Sequence, residues 1–220
     1  MKKTLQRITN IDIKRISEAN LSDHGIYIEF DESNICKARA MIIGPSGSLY
    51  EGGYLFFSIN FPNNYPYSPP VIKYHSQNDI RIHPNIYVNG KVCLSILGTW
   101  SGPGWTTIMD ISTVLISIQS LLDKDPLQHE PGFSGKVSLN HKQYARVVEY
   151  ETYRTLIYKN IFDTPPDFMC FTDIIQDHYV TNRKEIYKDI SKKKNDTIKL
   201  KLYRIHMDLN YDYVKLKLKI

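Results

Sequence analysis

The chain has 220 residues, 42% of them hydrophobic and 23% charged, with a net charge of +5, which allows one domain of about 100–150 residues and a sizeable extension. No run approaches the roughly 18 uncharged apolar residues of a membrane span, and the charges of Met1–Arg7 have no apolar run behind them. A secretory signal is therefore not expected, and the protein is expected in the cytoplasm and also the nucleus.

From the N-terminus, Leu5, Ile8, Ile11 or Asp12, and Ile16 fall at helical spacing, predicting an amphipathic helix over 2–19. Lys2, Lys3, Arg7, Lys14 and Arg15 would form its basic outer face. Runs rich in β-formers follow at Ile26–Phe30, Ile35–Ile43, Tyr54–Phe61 and Val71–His75. Turn-forming residues separate them, so the four strands read as an antiparallel meander. Periodicity is then lost until Trp105, a stretch of about 30 residues, too long for an idle connection and of the kind that carries a site. Ile108, Ile111, Leu115, Ile118 and Leu122 predict a buried central helix, with Thr106 or Thr107 as its cap. Further helices are expected over 140–162, ending before Pro165-Pro166, and over 172–194. The last segment alternates Lys and Leu and fits strand or helix equally. The order is that of an α+β fold.

Charge is unevenly placed. Residues 183–220 carry 12 basic and 5 acidic side chains, a candidate anion-facing surface or a solvated basic face. No nucleic-acid fingerprint accompanies it, so neither nucleic acid nor a membrane is expected as a partner. Cys36, Cys93 and Cys170 are odd in number and far apart, which argues against a disulfide framework or a structural zinc site. No metal and no cofactor is expected.

The irregular segment contains His83-Pro84-Asn85 and, eight residues after Asn85, Cys93. Between them Asn89-Gly90 signals a tight turn that would fold Cys93 back toward Asn85. A free thiol is a good nucleophile that can accept an acyl group by thioester exchange without a paired histidine. If that group passes to an amine, an amide N–H beside the sulfur would stabilise the oxyanion, a contribution worth about 100- to 1,000-fold in rate. On spacing alone, a buried cysteine and a turn-forming asparagine serve structure as readily as chemistry.

With its surroundings, this segment resembles the ubiquitin-conjugating enzymes. His83-Pro84-Asn85 and Cys93 stand where that family has its tripeptide and acceptor cysteine. Gly44-Pro45 with Tyr50-Glu51-Gly52-Gly53 is similar to its strand-turn element, and Phe61-Pro62 with Tyr65–Pro70 to its proline-rich loop. Trp105 and Ile116–Leu122 resemble the start and body of its central helix. Trp105 lies twelve residues after Cys93, where most members have eight. This insertion, with Glu130-Pro131-Gly132-Phe133, resembles the large enzymes that work with the alternative ubiquitin-activating enzyme. It also resembles the conjugating domain of the giant inhibitor-of-apoptosis ligases.

The resemblance implies a conjugating domain over 1–162 and a basic, mainly helical extension over 163–220. It implies Cys93 as thioester acceptor, Asn85 as oxyanion or loop-stabilising residue, and His83 as support for the loop rather than a base. The acidic residue that orients the attacking lysine in many members should follow the central helix. His129 stands at that position, with Asp125 and Glu130 nearby as alternatives to it and to a plain solvated loop. Thr106-Thr107-Ile108 replaces the usual Ser-Pro-Ala, which alters the corner that meets ligases; Ile108 is alternatively a core position of the helix. Trp100 and Trp105 are expected to anchor the inserted loop, or Trp100 to touch a partner. Cys36 and Cys170 are expected to be structural. The implied partners are ubiquitin or a ubiquitin-like modifier, an activating enzyme (the alternative one), a protein substrate, and a ligase where one assists.

Overall fold

The computed structural model describes residues 2–135 and 137–218. Lys2–Arg7 and Ile13–Glu18 are α-helical, and the π-helical turn Ile8–Asp12 joins them into one helix, α1. Its buried face carries Thr4, Ile8 and Asp12, so Asp12 rather than Ile11 continues the inward stripe. Arg7 belongs to the interior too, since its Nε donates to Asp12 Oδ2 at 3.2 Å and Nη2 to the Met109 carbonyl at 2.7 Å. The expected basic face is thereby reduced, for Arg15 is also spent, on Asp110 at 2.9 Å.

The meander is present as β1 (Ile26–Asp31), β2 (Asn34–Ile43), β3 (Tyr54–Asn60) and β4 (Val71–Tyr74), all antiparallel and in sequence order. Ala40 pairs with Phe57 and Ile42 with Leu55; the alternate pair Met41–Phe56 lies on the opposite face, and all six residues are buried. A sheet half open to water would alternate apolar and polar residues. The unbroken runs Met41-Ile42-Ile43 and Tyr54–Phe57 record instead that both faces are covered.

Helix α2 spans Ile111–Gln119 and buries Ile111, Val114, Leu115 and Ile118. Its start differs from expectation. The cap is Asp110, whose carboxylate accepts the Thr113 N–H at 2.9 Å; neither Thr106 nor Thr107 serves. The chain before it makes a turn closed by Met109 N–H to the Thr106 carbonyl, which leaves Ile108 outside the helix and 77% exposed.

Helix α3 comprises Leu139–Glu151, a π-helical Thr152–Lys159 and Asn160–Phe162. Ser138 opens it in a reciprocal capping arrangement with His141. After the 3-10 segment Pro166–Phe171 comes α4 (Thr172–Ser191). The ambiguous end resolves into a hairpin, β5 (Asp196–Leu200) with β6 (Ile205–Leu209), and a last helix α5 (Tyr211–Leu218). The part after 163 is thus helical with a two-stranded hairpin between its helices.

This C-terminal part covers the second sheet face. Phe168 stacks on Phe56 with centroids 4.9 Å apart, and the Tyr54 hydroxyl lies 3.0 Å from His178 Nδ1. Burying a phenylalanine in this way contributes about 2–3 kcal/mol.

Candidate active site

Between β4 and α2 the chain is held by single bridges rather than strands: His83 with Ile86, Ile86 with Val92, and Lys91 with Lys73. The Gly90 N–H donates to the Tyr87 carbonyl at 2.9 Å, closing the turn predicted at Asn89-Gly90. Gly90 has φ +94, and a Cβ there would sit 2.9 Å from the Tyr74 carbonyl oxygen. Only glycine fits this close approach to β4 without strain.

The turn brings Cys93 back onto Asn85. The Cys93 N–H donates to the Asn85 carbonyl at 2.8 Å, and Asn85 Nδ2 donates to the Cys93 carbonyl at 3.0 Å. Asn85 is oriented in turn by His83, whose Nδ1 accepts the Asn85 N–H at 2.9 Å. The three residues that the sequence grouped are therefore linked in one chain of contacts. Cys93 is 1% exposed. Beyond it the backbone is pinned by Thr99, whose hydroxyl accepts from Leu94 N–H at 2.9 Å and donates to the Val92 carbonyl at 2.6 Å.

His83 is fully buried, and its pKa is driven down to about 3 by burial first and the neighbouring His129 second, against the opposing pull of Asp123. Since Nδ1 accepts a backbone N–H, the ring is neutral with its proton on Nε2. That proton faces the Leu121 carbonyl, a contact that favours the charged ring but does not outweigh burial. A histidine so held supports the loop and cannot cycle a proton near neutrality.

His129 stands at the end of a 3-10 turn, Pro126–His129, with its ring 5.1 Å from that of His83. Its Nε2 lies 2.9 Å from Asp123 Oδ2. Burial works against the Asp123 charge, but bonds from His129 and the Asp125 N–H outweigh it and hold the carboxyl below its usual range. An ionised carboxylate only accepts, so His129 donates from Nε2 and Nδ1 is left as the basic atom. The two alternatives are engaged elsewhere. Asp125 accepts from Gln128, and Glu130 Oε2 accepts from the Tyr203 hydroxyl at 2.5 Å.

Reading the sequence missed Asp123, because its partner is six residues away across a turn and only the fold brings them together. The two tryptophans part company. Trp105 donates from Nε1 to the Pro66 carbonyl at 2.7 Å and packs near Tyr65, whereas Trp100 is 42% exposed. Cys36 is half-buried in β2, and Cys170 is exposed, although partial burial still pushes its thiol pKa up.

A family model described as "Ubiquitin-conjugating enzyme" matches residues 9–152. Among curated proteins, "Ubiquitin-conjugating enzyme E2 Z" of Xenopus tropicalis is 39% identical over 160 residues, 69% of this chain and 51% of that protein. The human protein of the same name is 43% identical over 136 residues, 60% of this chain and 38% of its own length. "Probable ubiquitin-conjugating enzyme E2 25" of Arabidopsis thaliana is 36% identical over 187 residues, 79% of this chain and 29% of that protein. The chain thus spans about half or less of the length of these relatives.

Proposed function

The chain belongs to the ubiquitin-conjugating enzyme family, and on that premise we propose that Cys93 carries ubiquitin or a ubiquitin-like modifier as a thioester. In loading, the Cys93 thiolate attacks the carbonyl of the modifier's thioester on the activating enzyme. A new C–S bond forms there, and the activating enzyme's cysteine leaves as thiolate. In transfer, a lysine amine attacks the same carbonyl carbon, a C–N bond forms, and Cys93 departs as thiolate. A ligase cysteine in place of the lysine would give a second thioester.

The observation that carries this reading is the double link between Asn85 and Cys93, which sets a side-chain amide beside the thiol's own backbone. One Nδ2 hydrogen holds the loop, and the second is available to an oxyanion. The ammonium of an incoming lysine has to lose a proton before it attacks. We assign His129 to that step: Nδ1 receives the proton while Asp123 stabilises the resulting cation.

The glycine-flanked insertion between Cys93 and Trp105 supports charging by the alternative activating enzyme. Residues 1–162 are assigned as the conjugating domain and 163–220 as an extension of it. The site of action is assigned to the cytoplasm or nucleus. Among the described residues no helix is long and apolar enough to cross a membrane.

The test is a charging assay with ubiquitin, ATP and each activating enzyme, run on non-reducing gels. A reducible adduct is expected with the chain and none with Cys93→Ala. Asn85→Ala is expected to load but to discharge to free lysine about 100-fold more slowly. An adduct that persists without Cys93 overturns the reading; none with either activating enzyme overturns ubiquitin as the modifier.

A further inference from the structure

The turn of the β5–β6 hairpin is built from unsuitable residues. Tyr203 has φ 57 and ψ 10, and Arg204 has φ 54. Two successive left-handed positions are ordinarily filled by Asn-Gly or a similar pair, and a bulky side chain there is strained. Such a conformation persists only where its surroundings over-determine it, and here the surroundings belong to the catalytic loop.

Arg81 lies two residues before His83. Its guanidinium carbon is 4.7 Å from the Tyr203 ring centroid and 3.7 Å from that of Tyr87. The Tyr203 hydroxyl donates to Glu130 Oε2, which is itself 3.8 Å from Arg81 Nη2. The Tyr144 hydroxyl fixes the Arg81 backbone by donating to its carbonyl at 2.7 Å, and its ring meets that of Tyr203 edge-on. So placed, Arg81 Nη2 donates to the Pro84 carbonyl, which is the carbonyl of the peptide bond joining Pro84 to Asn85. Arg81 Nε is buried without a hydrogen-bond partner among the described residues. The side chain thus leaves one donor unsatisfied while serving two rings, the Glu130 carboxylate and that one carbonyl.

We propose that Tyr203 is a positioning residue for transfer from Cys93: through Arg81 it fixes the Pro84–Asn85 peptide and with it the aim of the Asn85 amide. This rests on the function assigned above. The C-terminal hairpin is then part of the conjugating machinery, although it lies more than 100 residues from Cys93 in the chain. Loading exchanges one thiolate for another, with a good nucleophile and a good leaving group, whereas attack by an amine depends more on the oxyanion donor, so the two steps should respond differently.

The experiment uses the full chain with ubiquitin as modifier and free lysine as acceptor, measuring loading and single-turnover discharge separately. Tyr203→Ala is expected to load within about twofold of the unaltered chain. Its discharge should be about tenfold slower at saturating lysine, with the KM for lysine unchanged. Arg81→Lys, which keeps the charge but loses the flat surface that stacks, is expected to show the same split and to report independently should Tyr203→Ala unfold. Tyr203→Phe, which keeps the ring, should restore most of the rate. Because Tyr203 acts through Asn85, the double variant Tyr203→Ala/Asn85→Ala should discharge no more slowly than Asn85→Ala alone. Normal discharge in Tyr203→Ala, or a double variant slower by the full product of the two effects, overturns the proposal. Failure of the unaltered chain to load on Cys93 is a different result and overturns the underlying function.

Discussion

Asn85 and Cys93 hold each other twice, main chain to main chain at 2.8 Å and side-chain amide to carbonyl at 3.0 Å. The arrangement makes Cys93 and its neighbouring amide one rigid piece, since neither can shift without breaking a bond that is shielded from water. Breaking such a bond exposes or orphans a polar group, at a cost of about 1–3 kcal/mol.

The first prediction concerns the thiol's accessibility. Cys93 is 1% exposed, whereas Cys170 lies at the surface. A disulfide reagent should therefore modify Cys170 first, and Cys93 at least about tenfold more slowly, because its reaction needs a local opening. Asn85→Ala should accelerate the Cys93 reaction. Mass mapping of the labelled cysteines over time checks both expectations. Equal rates at the two sites would mean that Cys93 is open in solution.

Acid stability offers a second check. His83 has its pKa lowered from 6.5 to about 3 in the folded protein. Between those values the unfolded chain binds a proton that the native state refuses. Stability therefore falls as pH drops through this window, by about 1.4 kcal/mol per pH unit from this one group. His75 and His178 are lowered as well, chiefly by burial, and act with the same sign. Urea unfolding at a series of pH values should show a steep acid limb that is shallower in His83→Gln. Parallel limbs would mean that His83 is not the neutral buried group described here.

A third prediction addresses how α1 is fastened. The fully buried carboxylate of Asp12 accepts from the Tyr65 hydroxyl at 2.5 Å, from Ile111 N–H at 3.2 Å and from Arg7 at 3.2 Å. One side chain thus ties α1 to the proline-rich loop and to the first turn of α2. Asp12→Ala should cost about 3–5 kcal/mol, because the Arg7 charge and two further donors lose their partner. Asp12→Asn, which keeps one acceptor, should cost about 1–3 kcal/mol. Denaturant melts give both values, and a loss under 1 kcal/mol for Asp12→Ala would show that water replaces the carboxylate.

What the sequence by itself determined were features set by local chemistry: the four strands, the turn at Asn89-Gly90, the buried α2 and the pairing of Asn85 with Cys93. Each depends on side-chain period or on a turn residue within a few positions, so one dimension suffices to see it. Tertiary structure decided what depends on partners distant in the chain. Asp110 outcompetes the threonines as a cap because Arg15 of α1 holds it in place. Asp12 is buried because Tyr65 and Ile111 come to meet it, and His129 gains its carboxylate only where the chain doubles back. Tyr203 lies against Arg81 across 122 residues of sequence, and no periodicity can announce such a contact. Its one sequence trace is a hairpin turn made of residues that would not choose to turn there.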